Sequence, residues 1–266
     1  MHPLALDAAS QPQQTRPVGA GRVLLVLKEL ATHPKGVALD RLARELEIPK
    51  SSLHRVLAAL RSAQLAEQDD RGHYRLSLEF VRLAFEYYQA LDRSALVLPA
   101  LEALVDRFSE TAHYAELDGG EIVYVAKVDP RGSAVRMSSV VGGRNPAHCT
   151  GLGKALLAHT LMDRAAVDRF VAEQGPLLRR TERTLVSPDE LDRGLAGIRA
   201  RGFAVDDQES ELGVNCIAFP IFLESAERPA GAISLAALVH RTRVVELVAA
   251  ADEIRAVIDA HLGPVT

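Results

Sequence analysis

Residues 49–57, Pro49-Lys50-Ser51-Ser52-Leu53-His54-Arg55-Val56-Leu57, constrain the fold more than any other stretch of the chain. Their apolar positions Leu53, Val56, Leu57 and Leu60 recur at the i, i+3, i+4, i+7 spacing of one buried helical face. The opposite face carries Lys50, Ser52, His54, Arg55 and Arg61, donors suited to phosphate oxygens and base edges. A shorter helical pattern, Leu39 to Leu46, comes just before, across the turn Glu47-Ile48-Pro49. Helix, tight turn and cationic helix form the layout of a helix-turn-helix, which lays its second helix in the DNA major groove.

Composition narrows the setting of this motif. The 266 residues suffice for two domains, and 48% hydrophobic with 25% charged residues is ordinary for a globular protein. A net charge of -4 gives no global attraction to nucleic acid, so affinity must come from a local patch. Residues 41–61 supply one: Arg41, Arg44, Lys50, Arg55 and Arg61 against Glu45 and Glu47, a local excess of three positive charges. A solvated helix face of mixed charge gives the same count. Two cysteines, Cys149 and Cys216, fit a reducing compartment. No apolar run is long enough for a membrane helix and no secretory pattern opens the chain, so a cytoplasmic protein without membrane contact is expected.

The chain divides by pattern. Residues 1–17 hold three prolines and three glutamines and read as a loose tail. Residues 18–77 form a winged helix-turn-helix. Its first helix is expected from Arg22 to Leu30, and its hairpin, or wing, around Asp69-Asp70-Arg71-Gly72, with Arg71 at the tip. Residues 78–93 read as a linker helix with two apolar stripes, Leu78, Val81, Phe85, Tyr88 and Phe80, Ala84, Tyr87, Leu91. Such a helix needs two partners, here its own subunit and a second copy; an entirely intramolecular core helix is the alternative. Residues 94–262 alternate strands and helices as an α+β sheet domain. Strands are expected at 111–117, 121–128, near 135–140, 213–222 and 231–238. Helices are expected at 95–108, 151–159, 163–173 and 188–201, with one final helix from about Thr242 to His261.

Several motifs, in order, carry a resemblance. Ile48 to Leu57 and Asp70 to Leu76 are similar to the recognition helix and wing of the IclR family of bacterial transcriptional regulators. Asn145-Pro146-Ala147-His148-Cys149-Thr150-Gly151-Leu152-Gly153-Lys154-Ala155-Leu156-Leu157-Ala158, Ile198 to Asp207 and Gly213 to Ala218 are similar to landmarks of its C-terminal half. The resemblance covers about residues 18–262. It implies a winged helix-turn-helix, a dimerising linker helix and a GAF-like effector-binding domain, acting as a homodimer or tetramer on double-stranded operator DNA. Two positions depart from the family: Glu47 stands where Gly is common in the turn, a cost if positive φ is needed, and Ser77 replaces a frequent Gly after the wing.

The resemblance implies DNA contacts at Lys50, Ser51, Ser52, His54, Arg55 and Arg71, and effector contacts at Thr150, Gly151, Leu152, Asp206, Cys216 and Ser234. Gly151 opens a helix whose N–H groups favour an anionic ligand. Ser234 can donate, Cys216 forms a small apolar wall, and Asp206 can accept from a hydroxyl. Ala236 takes the place of a second Ser common in the family, which points away from a very small keto acid toward a larger or more apolar carboxylate.

Other chemistries fit the same residues less well. His148, Cys149 and Cys216 could pair nucleophile with base or hold zinc, but Cys216 sits in an apolar run and no C-x-x-C or H-x-x-x-H spacing is present. Gly151-Leu152-Gly153-Lys154 lacks the first Gly and final Ser/Thr of a phosphate loop. No catalytic residue, metal or cofactor is assigned. The expected function is a ligand-responsive regulator, most simply a repressor, of a catabolic operon. Rival readings are a metabolite-binding enzyme whose N-terminal domain dimerises, and a constitutive DNA-binding protein.

Overall fold

The structure, a computed structural model, describes residues 17–90, 92–132 and 137–263, so the tail expected at 1–17 lies almost wholly outside the described residues. The described residues form two compact units, divided after Ala90.

In the first unit, α1 (Ala20–Ala31), α2 (Leu39–Glu45) and α3 (Lys50–Ser62) pack around one core. Leu53, Val56, Leu57 and Leu60 are the buried residues of α3, the face that the spacing predicts. They meet Val26 and Leu30 of α1 and Leu42 of α2. The wing forms from β2 (Ala66–Gln68) and β3 (His73–Leu76). A third strand, β1 (Val37–Ala38), pairs antiparallel with β3 and completes a sheet of order β1-β3-β2. At two residues it is too short to leave an alternating pattern.

Both departures from the family pattern have local consequences. Glu47 adopts φ 51°, so the turn does require the left-handed region that a Gly would enter without strain. Ser77 is buried, and its hydroxyl donates to the Gln64 carbonyl while accepting from Phe80 N–H at 3.4 Å. It thereby ties the hairpin to the first turn of α4 (Leu78–Ala90). Leu78, Val81, Leu83, Phe85 and Tyr87 of α4 are all exposed.

The second unit is built on a six-stranded antiparallel sheet of order β6-β5-β4-β9-β8-β7. Its strands are β4 (Thr111–Asp118), β5 (Glu121–Val128), β6 (Arg144–Pro146), β7 (Ala204–Asp207), β8 (Val214–Ile221) and β9 (Gly231–Leu238). One face is covered by α5 (Asp92–Phe108) and, at the end of the chain, by α9 (Val244–Ala249) and α10 (Ala251–Leu262). The other is covered by α6 (Gly151–Leu157), α7 (Arg164–Gln174) and α8 (Pro188–Arg201). With a core on each face, β8 and β9 are buried almost throughout.

Three expectations change. The final helix is two helices that break at Ala250 (φ -89°, ψ 3°), with no Gly or Pro to mark the break. The strand expected near 135–140 falls partly outside the described residues, and positions 137–140 carry no strand. Strands β6 and β7, three and four residues long, were not expected.

The sheet's centre is tightly packed. A Cβ on Gly231 would lie 2.4 Å from the Tyr114 ring, which is fully buried on the neighbouring strand β4. Gly231→Ala is therefore expected to destabilise the protein by about 1–3 kcal/mol, read as a lower urea midpoint.

Candidate functional site

The first unit presents a cationic surface. No acidic residue occupies the first turn of α3, so its N-terminal N–H groups add to the positive end. Lys50, Ser51, His54 and Arg55 are exposed and Ser52 is half-buried, all away from the buried stripe. Their freedom differs. Lys50 Nζ lies 2.9 Å from Asp40 Oδ1 of α2, and Arg41 pairs with Glu45 at 2.7 Å. The side chains of His54, Arg55 and Arg71 have no hydrogen bond or ion pair among the described residues. Asp69 shapes the wing tip: its Oδ1 accepts from Arg71 N–H at 2.9 Å and His73 N–H at 2.8 Å, which holds its carboxyl below the usual range. Gly72 turns the hairpin at φ 80°. Arg71 is thus exposed on a defined turn.

In the second unit the structure brings all six expected effector residues together around one cavity of about 60 Å³, lined by Thr150, Gly151, Leu152, Asp206, Cys216 and Ser234. Register explains the convergence. Asp206 of β7 pairs with Cys216 of β8, which pairs with Ala236 of β9, and Ser234 lies two residues back on the same face. Helix α6 crosses this face at close range. A Cβ on Gly151 would come within 2.8 Å of Cys216 Sγ, and one on Gly153 within 2.2 Å of the Ala147 carbonyl oxygen. The Gly-Leu-Gly run is a packing device, which accounts for it without a phosphate. Thr150 caps the helix by accepting Gly153 N–H at 3.0 Å, so its hydroxyl takes up one of the donors expected to face an anion.

Several lining residues escaped the sequence reading. His113 of β4 sits opposite Ser234, with its Nε2 2.7 Å from Ser139 Oγ and its Nδ1 3.5 Å from Ser234 Oγ. Tyr124 stacks near it, ring centroids 5.3 Å apart, and its hydroxyl accepts from Asn145 Nδ2 at 3.2 Å. Behind the cavity, Lys154 is only 4% exposed and forms an ion pair with Glu209. A buried lysine in an otherwise apolar helix was the available signal. Ala236, which stands in place of the second Ser, lines the same cavity.

Burial governs the ionisation here. Asp206 is 4% exposed, and desolvation raises its carboxyl from 3.8 to about 7, opposed by Lys154. His113 is driven down from 6.5 to about 3 by desolvation, with Lys127 adding to the effect. Cys149 and Cys216 are pushed up to about 12, again mainly by desolvation. A catalytic thiol needs the opposite shift. His148, moreover, directs Nε2 to the Leu178 carbonyl at 3.0 Å. Among the described residues, the trio with metal-compatible ligand spacing is Glu29, His33 and Glu45 of the first unit, not the cysteine pair.

The two shifted groups make opposite contributions to stability. Asp206's raised pKa gives stability that is complete below 3.8 and is lost as pH rises through about 7. His113's lowered pKa gives stability present above 6.5 and lost as pH falls toward about 3. Between about pH 4 and 6.5 the slopes nearly cancel, each roughly 1.4 kcal/mol per pH unit. Asp206→Asn is expected to leave the histidine slope alone, so the variant should lose stability on acidification through that range more steeply than wild type, measured by denaturant unfolding.

Comparison with known proteins agrees with this architecture. Residues 19–70 match the IclR helix-turn-helix domain, and residues 85–260 match the family described as bacterial transcriptional regulator IclR C-terminal. The chain is 33% identical over 223 residues to the transcriptional repressor IclR of Escherichia coli (strain K12), spanning 83% of this chain and 80% of that one. It is 31% identical over 206 residues to the Pca regulon regulatory protein of Pseudomonas putida, spanning 77% and 69%. An IclR homologue from Microbacterium hydrocarbonoxydans, solved with 4-hydroxybenzoate, shares the fold at a TM-score of 0.70 and 24% identity over 90% of this chain and 99% of that one. The chain belongs to the IclR family of transcriptional regulators, and it is a regulator rather than an enzyme.

Proposed function

We propose that the protein is a cytoplasmic repressor of a catabolic operon, released or retained on its operator by a compact carboxylate in the second unit. Lys50, Ser51, Ser52, His54 and Arg55 of α3 meet the major groove, and Arg71 reaches a phosphate or the minor groove from the wing. Thr150, Gly151, Leu152, Asp206, Cys216 and Ser234 hold the effector. The exposed apolar side chains of α4 support pairing with a second copy, which would place two recognition helices on a two-fold related site. No helix among the described residues is long and apolar enough to cross a membrane.

The observation that carries this reading is the cavity itself, lined by the neutral polar side chains of Tyr124, Asn145, Thr150 and Ser234. Such a set orients a small polar ligand and rejects large apolar ones. The 4-hydroxybenzoate complex of the Microbacterium homologue supports the carboxylate class. An effector can act only through different affinities for DNA-competent and DNA-incompetent arrangements.

Two experiments test the assignment. In a mobility shift on the intergenic DNA beside the gene, Arg55→Ala should cost about 1–3 kcal/mol if it reads a base, and raising salt from 50 to 200 mM should weaken wild-type binding by roughly three to five decades if 6–10 phosphates are neutralised. Lys50→Ala should cost less than Arg55→Ala, because Asp40 already engages Lys50. In the second, Gly151→Ala places a methyl against Cys216 Sγ and should abolish the thermal shift produced by an effector carboxylate. A shift that survives this substitution places the effector elsewhere.

A further inference from the structure

We propose that the cavity takes its carboxylate together with one proton, held on Asp206, so that effector occupancy is coupled to pH near neutrality. The inference rests on the reading of this cavity as a carboxylate site and adds a regulatory property to it.

Among the described residues, no Lys or Arg lines the cavity. The buried cation behind it, Lys154, is committed to Glu209, and even so Glu209 Oε2 is buried without a hydrogen-bond partner. Among the described residues, the Lys154 ammonium acts on both buried carboxylates, Glu209 and Asp206, and one Glu209 oxygen is left without a donor.

Asp206 is the group at the boundary. Its Oδ1 accepts from Glu209 N–H at 2.7 Å and Ser210 N–H at 3.4 Å. Its Oδ2 has no hydrogen-bond partner among the described residues, while the side chain lines the cavity. Burial raises the carboxyl of Glu209 as well, but Glu209 is held by Lys154 behind the cavity, whereas Asp206 stands at the wall that meets the ligand. From α6 comes Lys154, already paired, and from the loop after β7 come Glu209 and Glu211, both acidic. From β8 comes Cys216 and from the turn before α6 Cys149, both neutral thiols. From β5 comes Tyr124, a neutral phenol pushed up to about 12, and from β4 comes His113, a neutral imidazole.

A ligand carboxylate entering beside an ionised Asp206 would set two like charges in a desolvated space. Such a pair resolves by keeping one proton between the two groups. The proton comes from solvent and sits on Asp206 Oδ2, which then donates to the ligand oxygen in a charge-assisted hydrogen bond. Burial alone already brings this carboxyl to about 7, and the ligand's charge moves it in the same direction. Asp206 thus changes role from the acceptor expected from sequence to a donor.

The test is isothermal titration of the full chain with sodium acetate, glyoxylate, pyruvate and benzoate between about pH 6 and 8.5, in two buffers of different ionisation heat. For each acid that binds, Kd should stay flat below the free protein's titration and weaken about tenfold per pH unit above it, with close to one proton taken up per ligand at the alkaline end. Asp206→Asn should remove both the slope and the proton uptake. Circular dichroism checks that the variant is folded, and wild-type proton uptake stands as evidence without it. Binding with a flat pH profile and no proton uptake overturns this inference while leaving the effector site in place. A slope that survives in Asp206→Asn moves the proton elsewhere, Glu209 first, and also overturns it. If none of the four acids binds, the carboxylate reading fails and this inference fails with it.

Discussion

A helix backbone pressed directly against a sheet is the constraint on which the second unit depends. Helix α6 lies so close to β7 and β8 that Gly151 has no room for a side chain against Cys216, while Gly153 is closed off by the Ala147 carbonyl of the turn that leads into the helix. Close packing of this kind usually excludes all space. Here the small side chains Cys216, Ser234 and Ala236 face the helix start, and a pocket remains where larger residues would fill it. The same approach buries Lys154, which needs Glu209 as its partner, and Glu209 in turn follows the Asp206 strand. Packing, cavity and charge cluster are consequences of one contact.

The ionisation of the pocket follows from that geometry. Burial withdraws four of these groups from water and moves them toward their neutral forms: the two thiols upward, His113 downward and Asp206 toward neutrality. Neutral, hydrogen-bonded walls select by donor and acceptor pattern rather than by charge. The first unit has the opposite character. Arg55 and Arg71 remain exposed without ion-pair partners among the described residues, as long-range attraction to a polyanion requires in a chain whose net charge is negative.

Much of this was legible in the sequence, and the limits have physical reasons. Leu53, Val56, Leu57 and Leu60 mark the buried face of α3 because an amphipathic helix must repeat with its turn. The strain at Glu47 could be anticipated because the residue stands where relatives carry Gly, and its φ is positive. The six effector positions came from resemblance, and the structure gathers them in one place. His113, Tyr124 and Asn145 did not come through, since strand alternation says which residues share a face but not which strands become neighbours. Strands β1, β6 and β7 are too short to carry a period, and the break at Ala250 has no breaker residue. Lys154 is a charge in a helix buried along its length, and its partner, 55 residues away, left no mark in the sequence.

The central claim is that the contact between α6 and the sheet creates the effector site. A crystal structure of the protein grown with a carboxylate that raises its melting temperature tests this most directly. The account predicts ligand density enclosed by Thr150, Gly151, Asp206, Cys216 and Ser234, with one ligand oxygen within hydrogen-bonding distance of Asp206. Density instead in the groove lined by Arg93, His159 and Arg228, with the α6 cavity empty, would contradict it.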